Sequence, residues 1–270
     1  MVEITKKYKI GTRRFGLVNW YGTWTLYVKE VLRFLNVWAQ TLFSPLISSL
    51  LFLLVLSLAI GTERGEVLGV SFITFLAPGL IAMQIIQQAF SHSSSSLMIK
   101  KIDGTIVDLL FAPLSASEAT IAISLAAVTR SVLLAIISII TFTLIIDIQI
   151  QNYLTLISFT FLSSFILGNI GIIAGLWAEK FDNMATVTNF IIVPLSFLSG
   201  TFYSIDRLPE VLRELSIYNP FFHMIDGLRF SMIGISDGST IFGLLYLLSF
   251  SLILWSIAYY LYKKGYKIKS

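Results

Sequence analysis

The sequence predicts an all-α membrane protein with six transmembrane helices, and two observations support this prediction. First, 56% of the 270 residues are hydrophobic and only 13% are charged, against about 25% charged residues in an ordinary soluble domain. One core cannot bury that much apolar surface, so lipid must solvate much of it. Second, a helix needs about 20 apolar residues to cross a bilayer. Six segments are long enough: Trp38–Ile60, Val70–Phe90, Ala119–Ile146, Tyr153–Trp177, Ala185–Tyr203 and Ile241–Tyr262.

The positions of lysine and arginine predict how these helices are oriented. If the N-terminus is cytoplasmic, fourteen of the nineteen basic residues lie in cytoplasmic segments, four lie in outer segments and Arg130 lies within the third span. The reverse orientation would violate the preference for positive charge in cytoplasmic loops. The sequence therefore predicts that both termini lie in the cytoplasm.

The chain divides into an N-terminal segment, residues 1–37, and one membrane domain, residues 38–270. In the N-terminal segment, the stretch Phe15–Asn36 combines tryptophan and tyrosine with basic residues. Aromatic rings and long basic side chains both favour the boundary between lipid and water. We therefore expect this stretch to form a helix that lies in the membrane interface before the first span.

The inner loop 92–118 joins the second span to the third. The serines Ser93–Ser96 form a polar break, which we expect to end the second span. The stretch after them predicts a short cytoplasmic amphipathic helix that Pro113 ends. Such a helix suits docking into a groove on a partner protein, and it equally suits contact with lipid. Its predicted apolar face comprises Ile102, Ile106, Leu109 and Leu110.

The outer segment 204–239 is too apolar for a solvated loop. Four of its residues follow the spacing i, i+3, i+4, i+7 of one helix face, and residues 221–233 are apolar but too short to span. We expect two short helices that rest in the outer leaflet or re-enter it, because helices keep their backbone groups paired in lipid. The first helix face comprises Leu208, Val211, Leu212 and Leu215.

The sequence predicts neither ATP binding nor ion coupling by the chain itself. It has no GxxxxGK[ST] phosphate-binding loop, so a separate subunit would have to supply ATP hydrolysis. An ion-coupled carrier usually buries several acids in its spans. Here every aspartate and glutamate lies in a predicted loop or interface, with Asp147 at a span end. An ion-coupled carrier is therefore the alternative and not the preferred interpretation.

Arg130 is the single clear charge within a predicted span. Placing an arginine at the bilayer centre costs roughly 2.5–3.5 kcal/mol on insertion scales. One interpretation is that Arg130 faces a substrate path or a subunit interface and attracts an anionic head group. The other is that it snorkels to the inner surface or pairs with an acid in a loop.

Two interpretations based on histidine have weak support. Ser199 and His223 could be the nucleophile and base of an intramembrane hydrolase, but Phe197 stands where a GxSxG-type turn has its first glycine. His92 and His223 fall on opposite sides of the predicted membrane, which argues against a two-histidine metal site. We expect no catalytic residue, no metal site and no nucleic-acid partner.

Two stretches of the sequence resemble the signatures of the ABC-2-type transporter permease family, and the likeness extends from about Lys29 to Tyr262. Two positions depart from the usual family pattern: Asp108 replaces the common glutamate, and Ser204 stands where proline is frequent. The matching residues of the inner loop are Gly104, Thr105, Asp108, Leu109, Leu110, Ala112 and Pro113, and those of the outer segment are Ser199, Gly200, Phe202, Tyr203, Leu208, Pro209, Asn219, Pro220, Asp226 and Arg229.

This resemblance implies the membrane subunit of an ABC exporter in the bacterial plasma (inner) membrane. It implies a dimer, expected to be a homodimer in contact with membrane lipid, and a nucleotide-binding ATPase subunit that holds ATP and Mg²⁺, so that this chain needs no cofactor. The substrate would be amphipathic: a lipid-linked glycan, a lipid or a hydrophobic drug. The inner loop would be the coupling element, and the residues expected to contact the ATPase are Asp103, Gly104, Thr105, Asp108, Leu109 and Leu110.

Aromatic residues cluster near the predicted outer mouth. They could close a pathway by an apolar constriction, or they could belong to the aromatic belt that membrane proteins have at the interface. The four candidates for an outer gate are Phe202, Tyr203, Phe221 and Phe222.

Overall fold

The computed structural model describes residues 16, 18–60, 66–146 and 148–268. Within these residues it confirms an all-α membrane protein with six helices long and apolar enough to cross a bilayer. Arg64, Asp147 and the basic residues of the N-terminal tail lie outside the described residues. The six spans are Ala39–Ala59, Phe72–Ile102, Ala116–Ile146, Tyr153–Trp177, Phe181–Leu198 and Thr240–Lys264.

Short connections join the helices, and one antiparallel two-stranded hairpin precedes the second span. In chain order the elements are α1 (Trp20–Leu35), a π-helical turn (Ala39–Phe43), α2 (Ser44–Ile60), β1 (Glu66–Val67), β2 (Val70–Ser71), α3 (Phe72–Ile102), α4 (Ile106–Phe111), α5 (Ala116–Ile146), α6 (Tyr153–Trp177), α7 (Phe181–Val187), a second π-helical turn (Thr188–Ile192), α8 (Val193–Leu198), a 3₁₀ turn (Ile205–Arg207), α9 (Glu210–Ile217), α10 (Pro220–Ile233) and α11 (Thr240–Lys264).

The centre of the bundle consists of α3, α5 and α6, which pack against one another. The helix α10 packs on α3 and α6, so it belongs to the same core. Most side chains of these central spans are buried, whereas only about a fifth of those in the first, fifth and sixth spans are buried, and the rest are exposed or partly exposed. Since apolar side chains are exposed on this scale only to lipid or to another protein, these three spans form the outer surface of the protomer.

The second span continues well past Phe90, so the expected break at Ser93–Ser96 is wrong. These serines are largely buried inside α3, where they face a glycine-rich side of α6. A Cβ atom at Gly171 would lie only 2.6 Å from the carbonyl oxygen of Phe90 and 3.0 Å from the Cβ of Ser93. Small side chains let two membrane helices approach closely. The serines are therefore packing residues and do not begin a loop.

The amphipathic helix of the inner loop is also shorter than expected. Residues up to Ile102 belong to α3, and Gly104 then adopts a φ of 73°, which other residues rarely take. This turn separates α3 from α4, a helix of six residues. Ile106 and Leu109 are buried, whereas Ile102 and Leu110 are exposed. The four residues therefore do not form the single apolar face that their spacing predicts.

The fifth span lies closer to the N-terminus than the predicted segment Ala185–Tyr203. It combines α7, the second π-helical turn and α8. Pro194 comes directly after the π-helical turn, where the hydrogen-bond register of the helix already changes, so the missing N–H of proline is tolerated. Gly200, with a φ of 80°, lies in the turn that follows α8.

The predicted connecting helices are present. Within Phe15–Asn36, α1 begins after Asn19, whose side-chain oxygen accepts a hydrogen bond of 2.9 Å from the N–H of Gly22. The outer segment 204–239 contains α9 and α10, as expected. The apolar side chains of α9 are exposed on this protomer, and they are Val211, Leu212 and Leu215.

The two ends of the bundle carry different numbers of basic residues. At the α1 end, Lys101 donates a hydrogen bond of 2.9 Å to the carbonyl oxygen of Leu176, and Lys267 forms an ion pair of 2.8 Å with Glu179. The predicted orientation would place this α1 end in the cytoplasm. The described part of the chain places Lys29, Arg33, Lys100, Lys101, Lys180, Lys263, Lys264 and Lys267 at the α1 end, and Arg207, Arg213 and Arg229 at the opposite α10 end.

Candidate functional site

A cavity of about 630 Å³ lies on one side of the bundle. It is bounded by the end of α1, the first π-helical turn and α2 on one side, and by α3, α5 and the region of α8 on the other. We call it the polar cavity. Its lining includes Arg33, Phe52, Gln84, Gln87, Gln88, Ser91, Ser95, Arg130, Phe197 and Phe202.

One face of α3 supplies much of the polar wall. Glutamines and serines recur there at the spacing i, i+3, i+4, i+7 and i+11 of a single helix face. With a rise of 1.5 Å per residue, this row extends about 16 Å along the helix. The row comprises Gln84, Gln87, Gln88, Ser91 and Ser95.

Gln84 ties three helices together beside the cavity. Its amide nitrogen donates to the carbonyl oxygen of Pro45 at 3.0 Å and also to the hydroxyl of Ser49, both on α2. Its amide oxygen accepts a hydrogen bond of 2.9 Å from Ser138 on α5. A buried amide costs free energy unless it is paired, so this network fixes α2 against the central helices.

The two ends of the polar cavity differ in chemistry. Towards the α1 end lies Arg33, which donates to the carbonyl oxygen of His92 at 2.9 Å. Towards the α10 end lie three phenylalanines: the ring centroid of Phe202 is 5.4 Å from that of Phe52 and 5.2 Å from that of Phe197. The cavity therefore offers cationic and polar groups at one end and an aromatic surface at the other.

A charge cluster borders the cavity at the α1 end. Glu30, which is buried, forms ion pairs with Lys100 and, at 2.9 Å, with Arg33. Burial raises the pKa of Glu30, but the positive charges of Lys100 and Arg33 outweigh this effect and lower the pKa to about 2. The imidazole Nε2 of His92 lies 3.9 Å from the same carboxylate. Glu30 is therefore ionised and fully engaged by residues of the chain itself.

Arg130 lies near the middle of α5, about 21 Å from the start of that helix, and is buried. Its guanidinium donates a hydrogen bond to the side-chain oxygen of Gln88, and its Nε has no hydrogen-bond partner among the described residues. Pairing with a loop acid is therefore not what the structure shows. Arg130 is also not the single buried charge, as the sequence suggested, because Lys100 and Arg229 are buried too.

The inner loop, residues 103–115, presents a mostly exposed surface at the α1 end. Six residues are predicted to contact an ATPase. Leu109, on the inward side of α4, is buried, and the other five are exposed. The protruding side chain is Phe111, which is 85% exposed. The five exposed residues are Asp103, Gly104, Thr105, Asp108 and Leu110.

Hydrogen bonds connect the start of α1 to the inner loop and to the start of α5. The N–H of Asn19 donates to the carboxylate of Glu118 at 2.7 Å, and its side-chain nitrogen donates to the carbonyl oxygen of Pro113 at 3.0 Å. A cleft of about 320 Å³ remains between α1 and the inner loop, lined by Lys29 and Asp108 among others. A force on α4 would therefore reach α1, which carries Arg33 to the polar cavity.

The four predicted gate residues do not come together. Phe202 lines the polar cavity, and Tyr203 donates from its hydroxyl to the carbonyl oxygen of Leu198 at 2.8 Å. Phe221 and Phe222 are buried in the core of the protomer. Only Phe202 of the four is thus placed beside a space that a substrate could occupy.

Ser199 and His223 have separate partners. The hydroxyl of Ser199 accepts a hydrogen bond of 2.8 Å from Asn219 and donates to the carbonyl oxygen of Leu195. The imidazole of His223 bonds the carbonyl oxygen of Ile217 at 2.7 Å. A hydrolase would need the imidazole to bond the serine hydroxyl, so this geometry offers no nucleophile–base pair.

Residues of the second motif instead form a cluster of stabilising contacts around Arg229, which is fully buried. Its guanidinium lies 3.9 Å from the ring centroid of Phe75 and 3.6 Å from the carboxylate of Asp237. It also donates a hydrogen bond of 2.5 Å to the carbonyl oxygen of Gly200. Asp226 accepts bonds of 2.7 and 3.0 Å from two backbone N–H groups of the loop before α11. These contacts hold α10, α3 and the turn after α8 together.

Buried acids correct a second expectation from the sequence. Glu30, Glu118 and Asp226 are all buried, although they lie in segments that the sequence assigns to loops or the interface. The positions of the acids therefore do not exclude ion coupling, and the energy source has to be inferred from other observations.

The fold and the site define a multi-pass α-helical membrane protein. It has a polar cavity between its helices and an exposed loop at the α1 end, where most of its basic residues lie. Residues 21–233 match the profile of the family described as "ABC-2 type transporter". The chain belongs to this family, and it is a non-catalytic membrane permease subunit of an ABC transporter, which pairs with an ABC ATPase subunit.

Individual relatives agree with this assignment. The chain is 31% identical to the inner membrane transport permease YadH of Escherichia coli K12 over 88% of this chain and 94% of YadH. It is 23% identical to nodulation protein J of Neorhizobium galegae and 24% identical to that of Rhizobium leguminosarum bv. viciae, over 81% and 83% of this chain and 83% and 86% of those proteins. The likeness to YadH supports a multi-pass inner membrane protein.

Several residues of the site were not singled out from the sequence. The glutamines of α3 and the side chains of Arg33 and Phe111 fall in this group. A polar row at helical spacing inside an apolar segment is a visible signal for the glutamines. No local signal reveals that Glu30 meets Lys100, because these residues are 70 positions apart.

Proposed function

We propose that this permease exports an amphipathic molecule outward from the cytoplasm, driven by ATP that a separate subunit hydrolyses. ATP and Mg²⁺ bind that subunit, and this chain holds no cofactor. In this arrangement both termini and the α1 end are cytoplasmic. The substrate class comprises lipid-linked glycans, lipids and hydrophobic drugs, because the polar cavity combines charged, polar and aromatic walls.

The exposed coupling loop is the observation that carries this proposal. Asp108 and Thr105 are exposed on a short helix that Ile106 and Leu109 anchor to the protein beneath it. An anchored helix with an exposed polar and aromatic surface suits docking into a groove of a partner. The ATPase would move α4, and α1 would follow because Asn19 bonds both the loop and the start of α5.

A homodimer would complete the pathway. Few side chains of the first and fifth spans are buried within one protomer, and both spans contribute to the wall of the polar cavity. If two copies met along these spans, their cavities would face one another and the exposed apolar surface would be covered. Membrane lipid would contact the remaining exposed surface, including the sixth span.

The outer gate in this proposal is narrower than the sequence suggests. Phe202, with Phe52 and Phe197, forms an aromatic cluster at the α10 end of the polar cavity. Apolar constrictions can close a path by excluding water. Tyr203 follows Phe202 in the chain, whereas Phe221 and Phe222 are buried in the core and are not part of this narrower gate.

Co-purification tests the coupling assignment. The tagged chain should capture its ATPase, and Asp108→Arg should reduce capture about tenfold or more, since an interfacial charge reversal can cost several kcal/mol. Glu210→Arg is the matched control, because Glu210 is an exposed acid on α9 at the opposite end. Equal capture by Asp108→Arg and the unmodified chain, with equal ATPase rates, would remove the coupling role of this loop.

A further inference from the structure

The polar cavity lies beside an excess of positive charge. Three basic side chains lie in this region. Arg33 and Arg130 line the cavity. Lys100 lies next to it, because Lys100 and Arg33 both form an ion pair with Glu30. Glu30 is the only carboxylate that forms an ion pair with any of them among the described residues. Three cations and one anion leave two positive charges uncompensated.

Arg130 is the least compensated member of this cluster. It is 93% buried, with a relative exposure of 7%, and its hydrogen bond goes to a neutral amide, that of Gln88. Its Nε has no partner in the described part of the chain. Among the residues that line the cavity, the other charged side chain is that of Arg33, and like charges repel. A buried cation without a counter-ion is costly, so the site is incomplete without an anion.

We propose that the polar cavity binds the phosphate-type anionic group of an amphiphile, with Arg130 and Arg33 holding the anion and the alkyl chain lying towards Phe52, Phe197 and Phe202. This deepens the proposed function by naming the charge of the substrate class, and its transport aspect rests on that function. The binding site itself does not.

The surrounding side chains suit a phosphate. A guanidinium offers planar paired donors that match the oxygens of a phosphate or a carboxylate. The side chains of Gln87 and Ser91 line the same wall and add hydrogen-bond donors for the further oxygens that a phosphate has. A tetrahedral anion with several oxygens can use donors from more than one wall of the cavity.

The position of the aromatic cluster supports an amphiphile rather than a free anion. Gly79 on α3 lies against the turn that carries Phe202, since a Cβ atom built at Gly79 would be 2.5 Å from the carbonyl oxygen of Thr201. Along the helix, Gly79 is about 14 Å from Gln88, which binds Arg130. An alkyl chain attached to a phosphate at Arg130 would extend along this distance to the phenylalanines. Burial of that chain would add affinity in proportion to the apolar area removed from water.

Calorimetric titration of the purified full chain in phosphatidylcholine nanodiscs tests the site. Octyl phosphate is the probe, and octanol and inorganic phosphate are the comparison ligands. We expect octyl phosphate to bind more tightly than either, and Arg130→Gln to weaken it about 10- to 100-fold, the loss expected for charge-assisted hydrogen bonds. Arg130→Lys keeps the charge but not the paired donors, so it should lose less affinity than Arg130→Gln.

The matched control is Arg207→Gln, which removes an exposed arginine at the α10 end and should leave binding unchanged. The unfolding midpoint of Arg130→Gln without ligand shows whether the variant is folded. Equal affinity of the folded Arg130→Gln variant and the unmodified chain for octyl phosphate would overturn the proposal. Equal affinity of octanol and octyl phosphate would overturn it too.

A second arm distinguishes a transported amphiphile from a resident lipid. If the anion belongs to a transported molecule, octyl phosphate should raise the ATPase rate of the complete transporter, and Arg130→Gln should abolish this increase. If it belongs to a membrane phospholipid, native mass spectrometry should find phosphatidylglycerol retained by the chain and lost from Arg130→Gln. Either result supports the anion site. A chain that binds octyl phosphate but captures no ATPase would instead refute the proposed function alone.

Discussion

At the α10 end, Arg229 is buried with Asp226 and Asp237. At the α1 end, Arg33 and Lys100 share the carboxylate of Glu30, and Arg130 lines the same cavity as Arg33. The first cluster has at least as many acids as bases and its arginine is fully packed, with a phenylalanine ring 3.9 Å away. The second has an excess of bases and opens onto a cavity of about 630 Å³.

This difference separates two uses of buried charge. A closed cluster in which an arginine faces two carboxylates holds helices in place, because the protein itself compensates the charge of that arginine. A cluster with an excess of bases beside a cavity leaves compensation to something that enters the cavity. The cluster at the α10 end therefore gives Asp226 and Arg229 a structural role, and the cluster at the α1 end marks where a ligand is expected.

The largest effect on the free energy of unfolding is expected at the cluster around Arg229. Arg229→Met should reduce the free energy of unfolding by about 3–5 kcal/mol, because it leaves the buried carboxylate of Asp237 without its cationic partner. The double variant Arg229→Met/Asp237→Asn should recover part of this loss. Thermal unfolding in detergent measures both, and Arg207→Met serves as the exposed control. A loss below about 1 kcal/mol in Arg229→Met would show that the cluster around Arg229 does not stabilise the packing of the helices.

An intermediate effect is expected from protonation of Glu30. Its pKa of about 2 in the folded chain lies below the usual 4.5, so the unfolded chain binds this proton first. The stability it contributes is complete above about pH 4.5 and is lost as the pH falls towards 2. Lowering the pH from about 6 to about 3.5 should cost on the order of 1 kcal/mol. The difference in unfolding midpoints between the unmodified chain and Glu30→Gln measures it; identical pH profiles would contradict the ion pairing with Lys100 and Arg33.

The smallest effect on stability is expected at Arg130. Arg130→Gln removes one hydrogen bond to Gln88 and also relieves repulsion by Arg33, so the free energy of unfolding should change by less than about 1 kcal/mol in the absence of ligand. Unfolding midpoints of this variant and Arg229→Met, compared side by side, give the contrast. A loss at Arg130 as large as that at Arg229 would mean that both clusters are structural.

The sequence predicts the spans well because lipid imposes a simple rule. A transmembrane helix needs a long apolar run, and the fourth span was predicted at its observed bounds, Tyr153–Trp177. The same rule fails at Ser93–Ser96, since these polar residues are buried by the close approach of α6 and not by their own hydropathy. A contact between two helices is not visible in the local pattern of one.

The candidate site was predictable only in part. The inner loop carries a motif in one continuous stretch, so its residues could be named from the sequence as candidates for ATPase contact, and that role stays a prediction. Its helix is shorter than expected because Gly104 turns the chain. The polar cavity draws Arg33 from α1, Gln88 from α3 and Arg130 from α5. Only the folded chain brings these distant positions together, and of the three only Arg130 was conspicuous as a charge inside an apolar segment.

The orientation of the two clusters is the claim on which the rest depends, and labelling of single cysteines tests it most directly. The chain contains no cysteine, so Thr105→Cys and Arg207→Cys each introduce one exposed thiol at opposite ends. A membrane-impermeant maleimide added outside intact spheroplasts should label Arg207→Cys and leave Thr105→Cys unmodified until the membrane is opened. Labelling of Thr105→Cys from outside would contradict a cytoplasmic coupling loop and, with it, export driven by a cytoplasmic ATPase.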